Sequence, residues 1–302
     1  MNDAGLTVLF TWRELWAIGV DPFADYAFMR RALVACLALA VGCAPVGVFL
    51  VLRRMSLVGD AMSHAVLPGA AIGFLLGGLS LPAMSLGGFV AGLAVALASG
   101  LVTRFTAMKE DSSFAAFYLI SLALGVLIVS VKGNHVDLIH VLFGTILAVD
   151  DASLLLVAAI ASVTLVGFAV IYRVLVVECF DPGFLQANGA GGGIGHLLFL
   201  GLVVLNLVAG FQALGTLMAV GLMMLPAASA RLWAQGVGRM IGLAMGFAFL
   251  AGYSGLVVSY AWNLPSGPCI VLVAGGFYLF SLIAGRHGGF GRRMLRRSHL
   301  EG

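Results

Sequence analysis

Long apolar runs alternate with short polar breaks along nearly the whole chain, and their lengths set the first expectation. A run of about 20 residues coiled as α-helix crosses a hydrocarbon core of roughly 30 Å. The pattern predicts spans at about Ala32–Leu52, Leu57–Leu79, Pro82–Thr103, Phe114–Val131, Ala152–Val177, Leu197–Phe211, Leu214–Trp233, Ile241–Tyr260 and Cys269–Ala284. The alternating segments of about ten residues that mark a membrane β-barrel are absent. An all-α, polytopic integral membrane helical bundle of about 8–9 transmembrane helices follows, because helices satisfy their own backbone polar groups where water is absent.

The breaks divide the chain. Residues 1–27 mix aromatic and polar side chains around Pro22, which suits an N-terminal interfacial segment. Residues 28–285 form the transmembrane domain, and 286–302 make a basic tail. The longest polar gap, 178–195, holds Asp181-Pro182 followed by a glycine-rich exit, the chemistry of a helix start and a loop. Two proline-containing stretches, Val66–Ala71 and Met224–Ala228, echo each other faintly; such pairs sometimes mark a pathway between repeats, though small residues and proline are ordinary in membrane helices.

Composition agrees and excludes soluble classes: 62% of the 302 residues are hydrophobic and only 10% charged, against roughly a quarter charged in soluble domains. Arginine and lysine then orient the bundle. With the tail inside, Arg53, Arg54, Arg104, Lys109, Arg173, Arg231, Arg239, Arg286, Arg292, Arg293, Arg296 and Arg297 fall on the cytoplasmic side. Only Arg13, Arg30, Arg31 and Lys132 remain outside. That clustering carries topology and gives no reason to expect a nucleic-acid partner. The four cysteines are scattered and read as packing residues, and the N-terminus lacks signal-peptide features.

Among the 13 acidic residues, Asp60 alone falls inside a predicted span, with His64 four positions on along the same helix face. An ionisable group there costs roughly 3 kcal/mol or more, so the pair is a site hypothesis by default. Carboxylate and imidazole donors suit zinc, manganese or ferrous iron. The competing reading makes Asp60 a helix cap and His64 an interhelical hydrogen-bonding residue. His135, Asp137 and His140 form a second polar cluster, either a solvated outer loop or candidate outer-side metal contacts. Met218, Met223 and Met224 with Gln212 read as packing. Neither lysine sits in a GxxxxGK[ST] loop, so ATP must be hydrolysed by another subunit if it is used at all.

In order along the chain, FMRRAL, LRRMSLVGDAMSHAVLPGAAIGFLLG, DLIHVLFGTILAV, FDPGFLQANG, ALGTLMAVGLMMLPAASARL and LPSGPCIVLVAGGFYLFSL resemble the permease subunits of bacterial metal-ion ABC importers. The resemblance runs from about Tyr26 to Ala284. It implies an ABC importer permease fold, with Asp60 and His64 contacting a transported Zn2+, Mn2+ or Fe2+ and no permanently bound cofactor. It further implies that Phe180, Asp181, Pro182, Phe184, Asn188 and Gly189 belong to a cytoplasmic coupling helix that docks on an ATPase. The implied partners are two ABC ATPase copies, a second permease copy or paralogue, an extracytoplasmic metal-binding protein and the lipid bilayer. The implied location is the bacterial cytoplasmic (inner) membrane, with the C-terminus cytoplasmic. Gly183 stands where family members usually carry an acid, and the glycine-rich follow-on is unusual. The residues alone leave open an ion-coupled secondary carrier or channel working without an ATPase.

Overall fold

The computed structural model describes residues 19–78, 80–108, 110–131, 149–180 and 192–287, and these are helical with short connections and no strand. In chain order they form α1 (Asp21–Asp25), α2 (Ala27–Leu52), α3 (Ser56–Gly77), α4 (Leu81–Phe105), α5 (Glu110–Val131) and α6 (Asp151–Phe180). Then follow α7 (Gly192–Leu214), α8 (Thr216–Arg231), α9 (Val237–Trp262) and α10 (Ser266–Ala284). Eight of these helices are long and apolar enough to cross a membrane. The remaining apolar one, α8, has 16 residues, about 24 Å of helix, which falls short of the hydrocarbon thickness. Its length is set by its ends. Gly215, at φ 87°, breaks the chain from α7, and the chain turns at Leu232 and Trp233, whose N–H groups bond back to Ser229 and Ala230.

Helix α2 is the buried centre. Its residues from Gly42 to Leu50 are all enclosed, with α6, α8 and α9 packed around it and α10 lying over α8 and α9. Close approach to α8 depends on Gly47, where an added Cβ would stand 1.8 Å from the Met223 carbonyl oxygen. Helices α3, α4 and α5 form a second unit, joined to the first chiefly through α7. The α3–α4 hairpin closes on small residues: a Cβ at Gly69 would meet the Gly87 oxygen at 2.1 Å, and one at Gly73 the Ala83 oxygen at 2.3 Å. Helix α5 runs parallel to α3, with Tyr118 beside His64, the Ser121 hydroxyl donating to the Ala65 carbonyl and Gly125 against Pro68. The echoing prolines, Pro68 and Pro226, both lie inside helices.

Contacts at the two ends fit the predicted alternation of spans. One end gathers Arg53, Glu178 and His196, along with Arg231, which donates to the Val51 carbonyl, and His287, whose N–H bonds to Leu232. At the other end Arg31 pairs with Asp151 at 2.8 Å. Arg30 donates to the Ala24 carbonyl at 2.7 Å, closing the end of α1. Arg30 and Arg31, two of the basic residues that charge counting leaves on the sparsely basic side, are therefore both engaged locally.

Candidate metal-binding site

The site begins at the turn between α2 and α3. Helix α2 ends with the Arg54 N–H bonded to Val51 and the Met55 N–H bonded to Leu50, the two-bond closure usually built on glycine. Arg54 occupies the left-handed position, φ 60°. Helix α3 then starts at Ser56 behind Met55, without a side-chain cap. Asp60 is therefore inside the helix and does not cap it, which removes the capping reading.

Asp60 Oδ1 and His64 Nε2 stand 3.9 Å apart, with the two side chains 63% and 31% exposed. Asp60 is exposed and His64 half-buried, on a side of α3 that the chain's own packing does not fully cover. His64 Nδ1 is enclosed without a hydrogen-bond partner, and its ring lies 6.1 Å from that of Tyr118. The Ser63 hydroxyl donates to the Asp60 carbonyl at 2.7 Å, leaving the carboxylate uncommitted to it. Behind the pair, Met224 presses on α3 at Gly59, where a Cβ would meet its methyl at 2.4 Å. Among the described residues no group of three or more His, Cys, Asp and Glu could enclose a metal ion. The chain thus offers two convergent donors, an incomplete shell for either tetrahedral or octahedral coordination.

His135, Asp137 and His140 lie outside the described residues, as do Asp181, Pro182, Phe184, Asn188 and Gly189. Phe180 is the last residue of α6 and is exposed. Met218 and Met223 are fully enclosed in the core, and Gln212 Nε2 is buried without a partner. One cluster escaped sequence reasoning. Arg53 donates to Glu178 Oε2 at 2.6 Å and to His196 Nδ1 at 2.9 Å, with its guanidinium 4.6 Å above the Phe199 ring. The signal was available, since topology put all three polar residues at ends on the same side, but no spacing joins residues so far apart in the chain.

Eight helices long and apolar enough to cross a membrane, with Asp60 and His64 3.9 Å apart on one of them, define a multi-pass integral membrane protein. Residues 25–285 match the ABC 3 transport family, and the chain belongs to that family as a membrane permease of an ABC transporter. It is 34% identical over 262 residues to the manganese import system permease protein ScaB of Streptococcus parasanguinis, covering 87% of this chain and 92% of that one. To the chelated iron transport system membrane protein YfeD of Yersinia pestis it is 32% identical over 269 residues, 89% of each chain. The solved structure of PsaBC from Streptococcus pneumoniae in complex with Fab superposes with a TM-score of 0.80 at 33% identity, covering 90% of this chain and 97% of that one.

Proposed function

We propose that this permease imports a divalent transition metal, manganese or iron foremost and zinc as a third candidate, through a site built on Asp60 and His64. The observation that carries the reading is the pair 3.9 Å apart with an exposed carboxylate, unsupported by a third ligand among the described residues. A second permease copy presenting the same pair would complete four donors, two carboxylates and two imidazoles. Such hard oxygen and borderline nitrogen donors accept Mn2+, Fe2+ and Zn2+, so geometry and availability, more than raw affinity, set the cargo. Manganese and iron are what the relatives' names attach to those proteins.

ATP is hydrolysed by a separate ATPase, present in two copies, that docks on the loop 178–195. The permease sits in the bacterial inner membrane with the end bearing Arg53, Glu178 and Arg231 cytoplasmic, as is the C-terminus, and metal arrives from an extracytoplasmic binding protein. In vesicles holding the assembled transporter, Asp60→Asn and His64→Ala abolish uptake of Mn2+ while association with the ATPase persists. Unimpaired uptake in both variants would remove the site. ATP-independent flux through the purified chain alone would overturn the importer reading in favour of a secondary carrier.

A further inference from the structure

We infer that Arg53, Glu178 and His196 form a strut that passes movement of the ATPase-docking loop to the metal-bearing helix α3; the inference rests on the docking role proposed for that loop. One guanidinium holds both flanks of the loop. Glu178 stands in the last turn of α6, just before Phe180, and His196 at the start of the second turn of α7, and Arg53 reaches them at 2.6 Å and 2.9 Å. Because Arg53 has only N–H groups to give, His196 accepts at Nδ1. Stacking of Arg53 over Phe199 adds a second hold on α7.

Arg53 is also the residue that caps the C-terminal end of α2, at the start of the turn into α3. Helix α2 is fixed in the core, and its Val51 carbonyl accepts a hydrogen bond from Arg231 of α8. Direct packing between α2 and α3 is sparse, so the turn at Arg53 to Met55 is the covalent link by which this end of the bundle addresses α3. Asp60 and His64 follow within the first three turns.

Stability alone does not account for the cluster. The Arg53 side chain is 7% exposed, and its Nε is enclosed without a hydrogen-bond partner. An ion pair buried to that degree loses most of its attraction to desolvation, and apolar residues of similar volume would stabilise the fold as well or better. What charge and fork geometry add is a single register for three chain ends, so that displacement of one displaces the others.

The test uses the permease with its ATPase in vesicles and reads Mn2+ accumulated per ATP hydrolysed. Glu178→Gln and Arg53→Met are expected to assemble and hydrolyse ATP, while that ratio falls about five- to tenfold, within the roughly 2- to 30-fold by which residues remote from either site modulate coupling. Arg53→Lys, which keeps the charge without the fork, recovers part of the loss. An unchanged ratio in both single variants overturns the strut. Should Arg53→Met fail to assemble, the double variant Arg53→Met with Glu178→Leu leaves neither charge stranded. A wild-type ratio in that variant overturns the inference, and a ratio as low as that of Glu178→Gln supports it. Failure of the underlying reading looks different: the wild-type chain would then bind no ATPase through residues 178–195.

Discussion

At the scale of single residues, two backbone ends carry testable energetics. Arg54 holds a left-handed conformation that disfavours any residue with a Cβ by about 1 kcal/mol. Arg54→Gly removes that strain at some cost in chain entropy, so the net expectation is a gain of a few tenths to about 1 kcal/mol, and Arg54→Val loses more than that. Thermal unfolding in detergent reads both. Asp150 caps α6: its carboxylate accepts from the Ser153 N–H at 2.9 Å, and hydrogen bonds from Ser153 hold its pKa below the usual range. A lowered native pKa means the cap is fully present above the ordinary carboxylate value, about 4, and is lost as pH falls through the lowered one. Amide exchange in the first turn of α6 should therefore quicken in acid. Asp150→Asn, which keeps an acceptor oxygen but does not titrate, should flatten that dependence.

Between helices, small residues and one buried polar knot decide which surfaces meet. The Asn206 amide donates to Thr164 Oγ1 at 2.7 Å and to the Leu202 carbonyl at 2.8 Å, fastening α7 to α6 beside α2. Thr164→Val removes an acceptor of this knot and should cost about 0.5–1.5 kcal/mol, the range for interhelical hydrogen bonds in membranes. Gly69→Ala drives a methyl against the Gly87 carbonyl of the α3–α4 hairpin, whereas Gly100, also in a helix, has nothing within 4 Å. Unfolding should thus shift sharply down for Gly69→Ala. For Gly100→Ala it should hold or rise, helix propensity gaining up to about 1 kcal/mol. The contrast also shows where sequence reading reached its limit. Helices were legible because a backbone in lipid must bond to itself, so apolar run length nearly determines each element. Pairing was not legible: with 41 glycines in the chain, nothing in the spacing tells Gly69, which is a contact, from Gly100, which is not. Asp60 was found because it alone broke an apolar run, and Arg53 with Glu178 was missed because span ends are expected to be polar.

For the whole molecule, the consequence of two packed units is a face left open. Along α3 the buried positions face α4, α5 and α7, while Leu57, Asp60, His64, Leu67, Ala71 and Leu75 follow one another at helical spacing on the side its own bundle does not fully cover. A polar pair on a stripe facing lipid would be expensive; a stripe facing a second copy across a hydrated passage makes the pair useful. The two readings predict opposite chemistry at Leu67. In a Cys179→Ser background the remaining cysteines, Cys36, Cys43 and Cys269, are buried, and a cysteine introduced at Leu67 reports on its surroundings. Thiolate, the reactive form, arises only where water reaches. Leu67→Cys in the assembled transporter should therefore react with a charged, membrane-impermeant thiol reagent supplied on both sides, and Mn2+ should slow the reaction. Leu127→Cys on the outer surface of α5, a position 59% exposed, should stay unreactive in lipid. Equal inertness at both positions would place the α3 stripe against lipid and take Asp60 and His64 off the pathway.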